Sequence, residues 1–286
     1  MIAHRATLDV SRALVQHVAR LLQDERRLRG TPKHSRALSP FRQAVMVLRW
    51  FRGERDIAKL GREHRVSRAT AYRYIHEGIN LLAAQAPDLP EALERAHADG
   101  LAHVILDGTL IATDRCAEQT ISIKGEPIDV WYSGKAHQHA GNLQALSAPH
   151  GLPLWIGEVE PGSVHDLTAA RAHVLGALYA AASRGLPTLA DSGYEGAGIG
   201  IHTPIKQPDG NQILSPDNRT YNRLLRALRC LGERGFALLK GRWSTPQHIT
   251  VSPSRIGEIA RAALVLTHFE HGYLPEIAEI TSLVKQ

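Results

Sequence analysis

Cysteine is almost missing from this chain of 286 residues: Cys116 and Cys230 are its only two. Their placement has no metal-ligand spacing, so neither a zinc ribbon nor a disulfide framework is expected. The histidines at 137, 139, 150 and 165 have no cysteine partners and form no helical His-x-x-x-His pair, which argues against zinc. No apolar run approaches the roughly 20 residues that a membrane span needs. The opening "MIAHRATLDV" lacks the apolar core and cleavage site of a signal peptide. Together these absences lead us to expect a cytoplasmic protein with reduced thiols.

What is present suits a globular protein of one large or two modest domains: 43% hydrophobic and 22% charged residues. The net charge of +6 is unevenly spread. Residues 1–80 hold 17 Lys/Arg against 7 Asp/Glu, whereas the remainder holds 17 against 21. The basic third is a candidate electrostatic footprint for nucleic acid.

Three carboxylates stand out. Val104-Ile105-Leu106 reads as a buried strand that ends on Asp107, followed by Gly108 and Thr109. The run 186–190 is a second short strand, ending on Asp191-Ser192-Gly193-Tyr194. Glu233 lies inside a helix-like run from about Thr220 to Trp243. If the two strands are neighbours, the three acids cluster, and packed like charges raise each other's pKa unless a cation meets them. Oxygen-only ligands favour magnesium or manganese. Two such ions about 4 Å apart serve in-line attack at a phosphodiester. On the same helix Arg226, Arg229, Glu233 and Lys240 follow at i, i+3, i+7 and i+14, sharing one face. That face is either a solvated, ion-paired surface or a seat for DNA phosphate beside the metal.

Along the chain, residues 7–29 have helical periodicity, and Ser39-Pro40 opens a helix running to Phe51. A short helix over about 56–64 and a second from Arg68, capped by Ser67, enclose a tight turn. Ile57, Leu60, Val66, Ala71 and Ile75 would form their small core. This is the pattern of a helix-turn-helix, whose second helix meets base edges; Arg68, Thr70, Arg73 and Tyr74 are the candidate contacts. The domain division expected is a helical DNA-binding domain over 1–84, a linker over 85–102 and a catalytic domain over 103–286. In the last, strands are expected at 104–106, 119–123 with 128–132, 142–148 with 153–159, 187–190 and 199–205. Helices are expected over 166–183, with Ser163 or the His165-Asp166 pair near its cap, around Glu233, and over 254–270. The sum is an α/β mixed sheet with helices on both sides, behind an all-α domain. Gly196-Ala197-Gly198-Ile199-Gly200 has the look of a phosphate-binding loop, but no helix-forming run directly follows it, so a plain loop is expected.

Taken in order, "VILDGT", "YSGKAHQHAGNLQAL", "EPGSVHDLTAAR", "LADSGYEGAG", "HTPIK" and "NRLLRALRCLGERGFALLKGRW" resemble the bacterial insertion-sequence transposases of the DDE superfamily endonuclease branch. The resemblance covers about residues 40–270. It implies a ribonuclease-H-like catalytic domain behind an N-terminal helix-turn-helix. Asp107, Asp191 and Glu233 would be the catalytic, metal-binding triad for two magnesium or manganese ions. Arg229, Glu233 and Lys240 match the register of the family's last helix, and Arg226 stands where that helix often carries Tyr. Arg229 and Lys240 would hold a phosphate strand; Lys135, with His137 in the same loop, is a further candidate for DNA contact. The implied reaction is hydrolysis at the ends of a mobile element in double-stranded DNA, then attack of the freed 3′-hydroxyl on target DNA by an oligomer in the bacterial nucleoid. Two other readings stand beside it. One is a catalytically inert or host-adopted DNA-binding derivative; the other is a metal-dependent phosphoesterase acting on a smaller ester.

Overall fold

The computed structural model of the chain describes residues 8–273 apart from 122–124, 209 and 211; of Glu233 it describes the backbone only. Two compact units form. One comprises Met1–Ala86, Arg242–Thr245 and Ala262–Gln286; the other comprises Pro87–Gly241 and Pro246–Arg261.

The first unit is helical: α1 (Arg12–Leu28), α2 (Pro40–Phe51), α3 (Ile57–His64) and α4 (Arg68–Ala83). Each starts on a side chain able to take an orphan backbone N–H. Ser11, Ser39, Asp56 and Ser67 accept from Leu14, Arg42, Lys59 and Thr70 respectively. Helix α3 ends at Arg65 in the left-handed conformation (φ 60°), which turns the chain within two residues into the Ser67 cap. Leu14, Val18, Leu22, Val47, Leu48, Phe51, Leu60, Ile75, Ile79 and Leu82 are fully buried. Gly78 lets α4 approach α2, since a methyl there would lie 2.5 Å from Val47 Cγ2. A polar seam crosses this core. Buried Gln43 accepts from Arg26 at 2.6 Å and donates to Glu77 at 2.8 Å and to the Tyr74 carbonyl at 3.1 Å. The chain returns to this unit late: Trp243 packs edge-on to Phe51 and donates to Thr267 at 3.0 Å. Helix α9 (Ile256–Glu270) thus begins in the second unit and ends in the first.

The second unit holds a mixed sheet. β1 (Val104–Thr113) pairs antiparallel with β5 (Gln138–Ser147), which pairs antiparallel with β6 (Pro153–Pro161). Along its opposite edge β1 pairs parallel with β7 (Thr188–Leu189) at its start and with β9 (His248–Ile249) at its end; β7 continues to β8 (Ile201–His202). The β2–β3 hairpin (Gln119–Ile121, Pro127–Asp129) and β4 (Tyr132–Ser133) complete the strands. The strands expected at 187–190 and 199–205 are shorter than their apolar runs. The start of the second pairing is held by Gly198 and Gly200, both at positive φ, and few residues remain in register. Residues 122–123 of the expected hairpin lie outside the described residues.

The single helix expected over 166–183 is two, α6 (Asp166–His173) and α7 (Leu175–Ser183). Val174, buried at φ −124° and ψ −46°, is the break, with Gly176 two residues on as the only helix-weakening residue near it. His165 occupies the cap position of α6 without a side-chain cap bond. The stretch 85–102, expected as a linker, carries α5 (Leu89–Ala98), closed at its start by a capping box of Asp88 with Glu91. Its Leu89, Ala92, Leu93 and Ala96 are buried. The long helix α8 (Pro216–Arg242) lies against the Ile105 side of β1. Gly232 meets Ile105, Gly235 meets Ser147, and Lys240 reaches Thr109.

Candidate active site

The parallel register sets Val104 beside Thr188 and Ile105 beside Leu189. Asp107 and Asp191 each follow the last paired position, Ile105 and Leu189, by two residues, Asp191 lying just past the end of β7. The strand expected to end at Asp107 runs on to Thr113, because β5 stays paired with it through Ala112. Asp107 therefore stands inside β1, while Asp191 follows the carboxyl end of β7, the kind of strand end at which open α/β sheets bind ligands. Asp107 accepts from the Gly108 N–H at 3.1 Å. Asp191 caps a 3₁₀ turn over Ser192–Tyr194, accepting from the Gly193 N–H at 2.8 Å. Both carboxylates are therefore held by backbone beside them.

On the far side of β1 from α8, a third carboxylate enters that the sequence reading treated only as part of a helix start. Asp166, first residue of α6, lies over Gly108: a methyl there would be 2.6 Å from Asp166 Oδ1. It also lies near the Asp191 turn, since a methyl on Gly193 would be 2.9 Å from Asp191 Oδ1 and 3.5 Å from Asp166 Oδ2. Asn142 Nδ2 donates to Asp166 at 2.8 Å and Gln144 Nε2 at 3.4 Å. The Lys135 ammonium stands 3.9 Å off on an otherwise exposed side chain. Tyr194, fully buried, donates its hydroxyl to Gln144 Oε1. Burial, reinforced by the charges of Asp166, Asp107 and Asp191, pushes that phenol well above its ordinary range. Asn142 and Gln144 stand two apart on one face of β5, the two buried amides of that strand. That spacing was the available signal for them.

Helix α8 supplies the remaining groups. Lys240, half-buried, donates to Thr109 Oγ1 at 2.7 Å and to the Leu110 carbonyl at 3.3 Å. Burial lowers its pKa, and the neighbouring Asp107 charge opposes that shift. The ammonium expected on a phosphate-facing surface is thus turned onto β1. Arg226 is exposed; Arg229 is half-buried, with its Nε buried and unpartnered. Glu233 follows Gly232, the residue that meets Ile105, so its backbone belongs to the stretch of α8 alongside β1; its side chain lies outside the described residues. Among the described residues no three His, Cys, Asp or Glu form a metal-ligating group. The donors that do converge are carboxylate oxygens crowding a buried phenol, and the two nearest ammonium groups are turned to Thr109 or exposed. Carboxylate oxygens are the donor type a hard divalent cation takes, and of these Asp166 is committed to the Asn142 and Gln144 amides.

A cleft of about 1060 Å³ opens on the Gly108 side, lined by Arg115, Tyr132, Lys135, His139, Asn142 and Asp166 among others.

In the helical unit, Arg68 and Arg73 are exposed on α4, and Thr70 is half-exposed, accepting from Ser67 Oγ at 3.0 Å and from Arg73 at 3.3 Å. Tyr74, expected to be exposed beside them, is not: only 6% of it is accessible. Its hydroxyl accepts from the Ala37 N–H at 3.0 Å, and the Arg36 guanidinium lies 4.7 Å over its ring. The reason is helix phase. Tyr74 follows Ala71 by three and precedes Gly78 by four, placing it on the apolar face. Tyr72 is the exposed aromatic here, its ring 4.0 Å from that of His76.

Residues 106–268 match the family described as the DDE superfamily endonucleases. A probable transposase for insertion sequence element IS702, from Microchaete diplosiphon, is 25% identical over 239 residues, covering 81% of this chain and 80% of that protein. No solved structure matches.

Proposed function

We propose that this chain, which belongs to the DDE superfamily of endonucleases, cuts DNA at the ends of a mobile element and joins the freed 3′-hydroxyl to target DNA. That it is an enzyme of the nuclease and transposase type follows from the family; the cutting and joining steps are our reading. The observation that carries it is that Asp107 on β1 and Asp191 just past the adjacent β7 both bear on the buried Tyr194 phenol, with α8, the helix that bears Glu233, running beside β1.

Asp107, Asp191 and Glu233 would hold magnesium or manganese, and the bound ions would lower the pKa of the attacking oxygen and offset charge on the phosphate. The protein's own part is positioning and electrostatics. Backbone N–H groups of Gly108 and Gly193 fix the two aspartates. Lys240 adds one positive charge beside Asp107 from a partly dried position, where it is worth more than in bulk water. Arg226 and Arg229 extend the basic side of α8, and Lys135 stands at the mouth of the cleft, so a phosphate strand has cations to follow from either direction.

In the helical unit, α3, the Arg65 turn and α4 form a helix-turn-helix, with Arg68, Thr70 and Arg73 turned to DNA and Tyr72 in the place we first gave Tyr74. Cutting two ends together calls for at least two copies of the chain on the DNA.

The test uses the DNA flanking the gene. Purified protein is incubated with those ends and manganese, and nicks are mapped. We expect nicks at the repeat boundary from the native chain and none from Asp107→Asn or Asp191→Asn, both still binding the ends. Tight binding without nicks in the native chain would instead make it an inert DNA-binding derivative.

A further inference from the structure

The carboxylate of Asp166 is not needed for the proposed chemistry, yet it occupies the most constrained position around the site. It presses on the backbone of β1 at Gly108, one residue from Asp107, and approaches the Asp191 turn at Gly193. A carboxylate can only accept. Two amides therefore turn their NH₂ ends to it, Asn142 at 2.8 Å and Gln144 at 3.4 Å, while Gln144 also donates to Asn142 Oδ1 at 3.1 Å. With its nitrogen committed, Gln144 has only its oxygen to offer the opposite way, and that oxygen takes the Tyr194 hydroxyl. Tyr194 in turn closes the 3₁₀ turn, its N–H donating to the Asp191 carbonyl at 3.1 Å.

We propose that Asp166 is a positioning residue: by orienting the Gln144 amide it seats Tyr194 and so holds the Asp191 carboxylate at the strand end. The proposal rests on reading Asp191 as a nuclease carboxylate. The relay runs from acceptor to amide to phenol to turn. Asn142 is also held by the Val164 carbonyl, to which its Nδ2 donates at 3.0 Å, so the link that depends on Asp166 is the Gln144 amide; the amides and phenol are buried where an unmet polar group is costly. Asp166 works as an acceptor in this relay, so an uncharged acceptor of the same shape can replace it.

Two substitutions separate this role from others. Asp166→Ala removes the acceptor; Asp166→Asn keeps Oδ1 for both amides and turns its own NH₂ toward the Lys135 side. With Asp166→Ala we expect kcat for nicking to fall on the order of 100-fold, as misplacement of a reacting group does. KM for the DNA ends should stay unchanged. Tyr194→Phe should copy that loss, and Asp166→Asn should retain most activity.

Hydrogen exchange without metal or DNA provides a readout independent of turnover. Amides of residues 190–197 should exchange about five- to tenfold faster in Asp166→Ala and Tyr194→Phe, the scale of one lost hydrogen bond. Asp166→Asn should protect them as the native chain does, and β5 should be unaffected throughout.

Unchanged protection of 190–197 in Asp166→Ala would overturn the proposal. So would an Asp166→Asn variant as inactive as Asp166→Ala, because then the charge itself, and not the acceptor, is what matters. A native chain that fails to nick would end the nuclease reading, while the exchange comparison would still decide whether Asp166 holds the turn.

Discussion

Gly232→Ala is the substitution that tests most directly how α8 is seated. An added methyl would lie 2.6 Å from Ile105 Cγ2 and 3.3 Å from Ile105 Cβ. Ile105 is 1% exposed and β-branched, so its χ1 cannot swing aside cheaply. Overpacking of this kind costs about 1–3 kcal/mol. Exchanging glycine for alanine inside a helix returns about 1 kcal/mol. The net expectation is between no change and about 2 kcal/mol of destabilisation. Gly241, on the last turn of the same helix, has nothing within 4 Å of the corresponding methyl, so Gly241→Ala should gain up to about 1 kcal/mol. The informative quantity is the difference between the two variants, about 1–3 kcal/mol, in which helix propensity largely cancels. Urea unfolding of the full chain at equal m-value measures it. Nicking should fall in Gly232→Ala alone, because the wedge displaces the turn that carries Glu233. If both variants gain equal stability, α8 does not lie on β1 at Ile105, and the proposed role of Glu233 beside Asp107 falls with it.

The helical unit offers three further tests. Ser67→Ala removes the oxygen that accepts the Thr70 N–H at 3.2 Å and should cost about 1 kcal/mol, read by thermal melting. Arg68→Ala should weaken binding to the element ends and reduce the slope of log affinity against log salt by about 1, with the metal requirement of nicking unchanged; an unaltered slope would remove α4 from the DNA contact. His17 is buried with neither ring nitrogen partnered, and burial, aided by the Arg20 charge, lowers its pKa. A folded-state pKa below the unfolded one means the unfolded chain binds the proton first. Stability from this group is complete above about pH 6.5 and is lost as pH falls through that value toward the folded pKa. His17→Leu should therefore flatten the fall in melting temperature between pH 7 and pH 5, leaving the contributions of His64 and His103, which burial lowers in the same way.

Short-range chemistry made much of this protein legible in the sequence. The caps at Ser39 and Ser67 announce helix starts because a side-chain oxygen there meets orphan N–H groups whatever the rest of the chain does. Asp107 and Asp191 can be picked out as carboxylates that follow short apolar runs, since an acid next to buried residues needs a reason to be there, though β1 itself runs on past Asp107 to Thr113. Tyr74 was also decipherable: the spacing of Ala71, Ile75, Gly78 and Ile79 puts it inside, and its reading as a base contact came from local charge rather than from phase.

Other features belong to no local pattern. Val174 breaks a helix that alanine and leucine would continue, and Gly176 beside it is a weak signal that many unbroken helices also carry. Trp243 and Thr267 join a core built by residues more than 190 positions earlier, because contact follows burial and not chain order. Asp166 reads in sequence as the start of a helix. Only the antiparallel pairing of β1 with β5, which places Gly108 opposite Gln144, leaves a space without a Cβ into which that carboxylate can fit. Sequence alone placed the helices of the first unit, α8 and the long strands, since those depend on neighbours a few residues away. Which side chains face one another across the sheet was decided by strand register, a property of the folded chain alone.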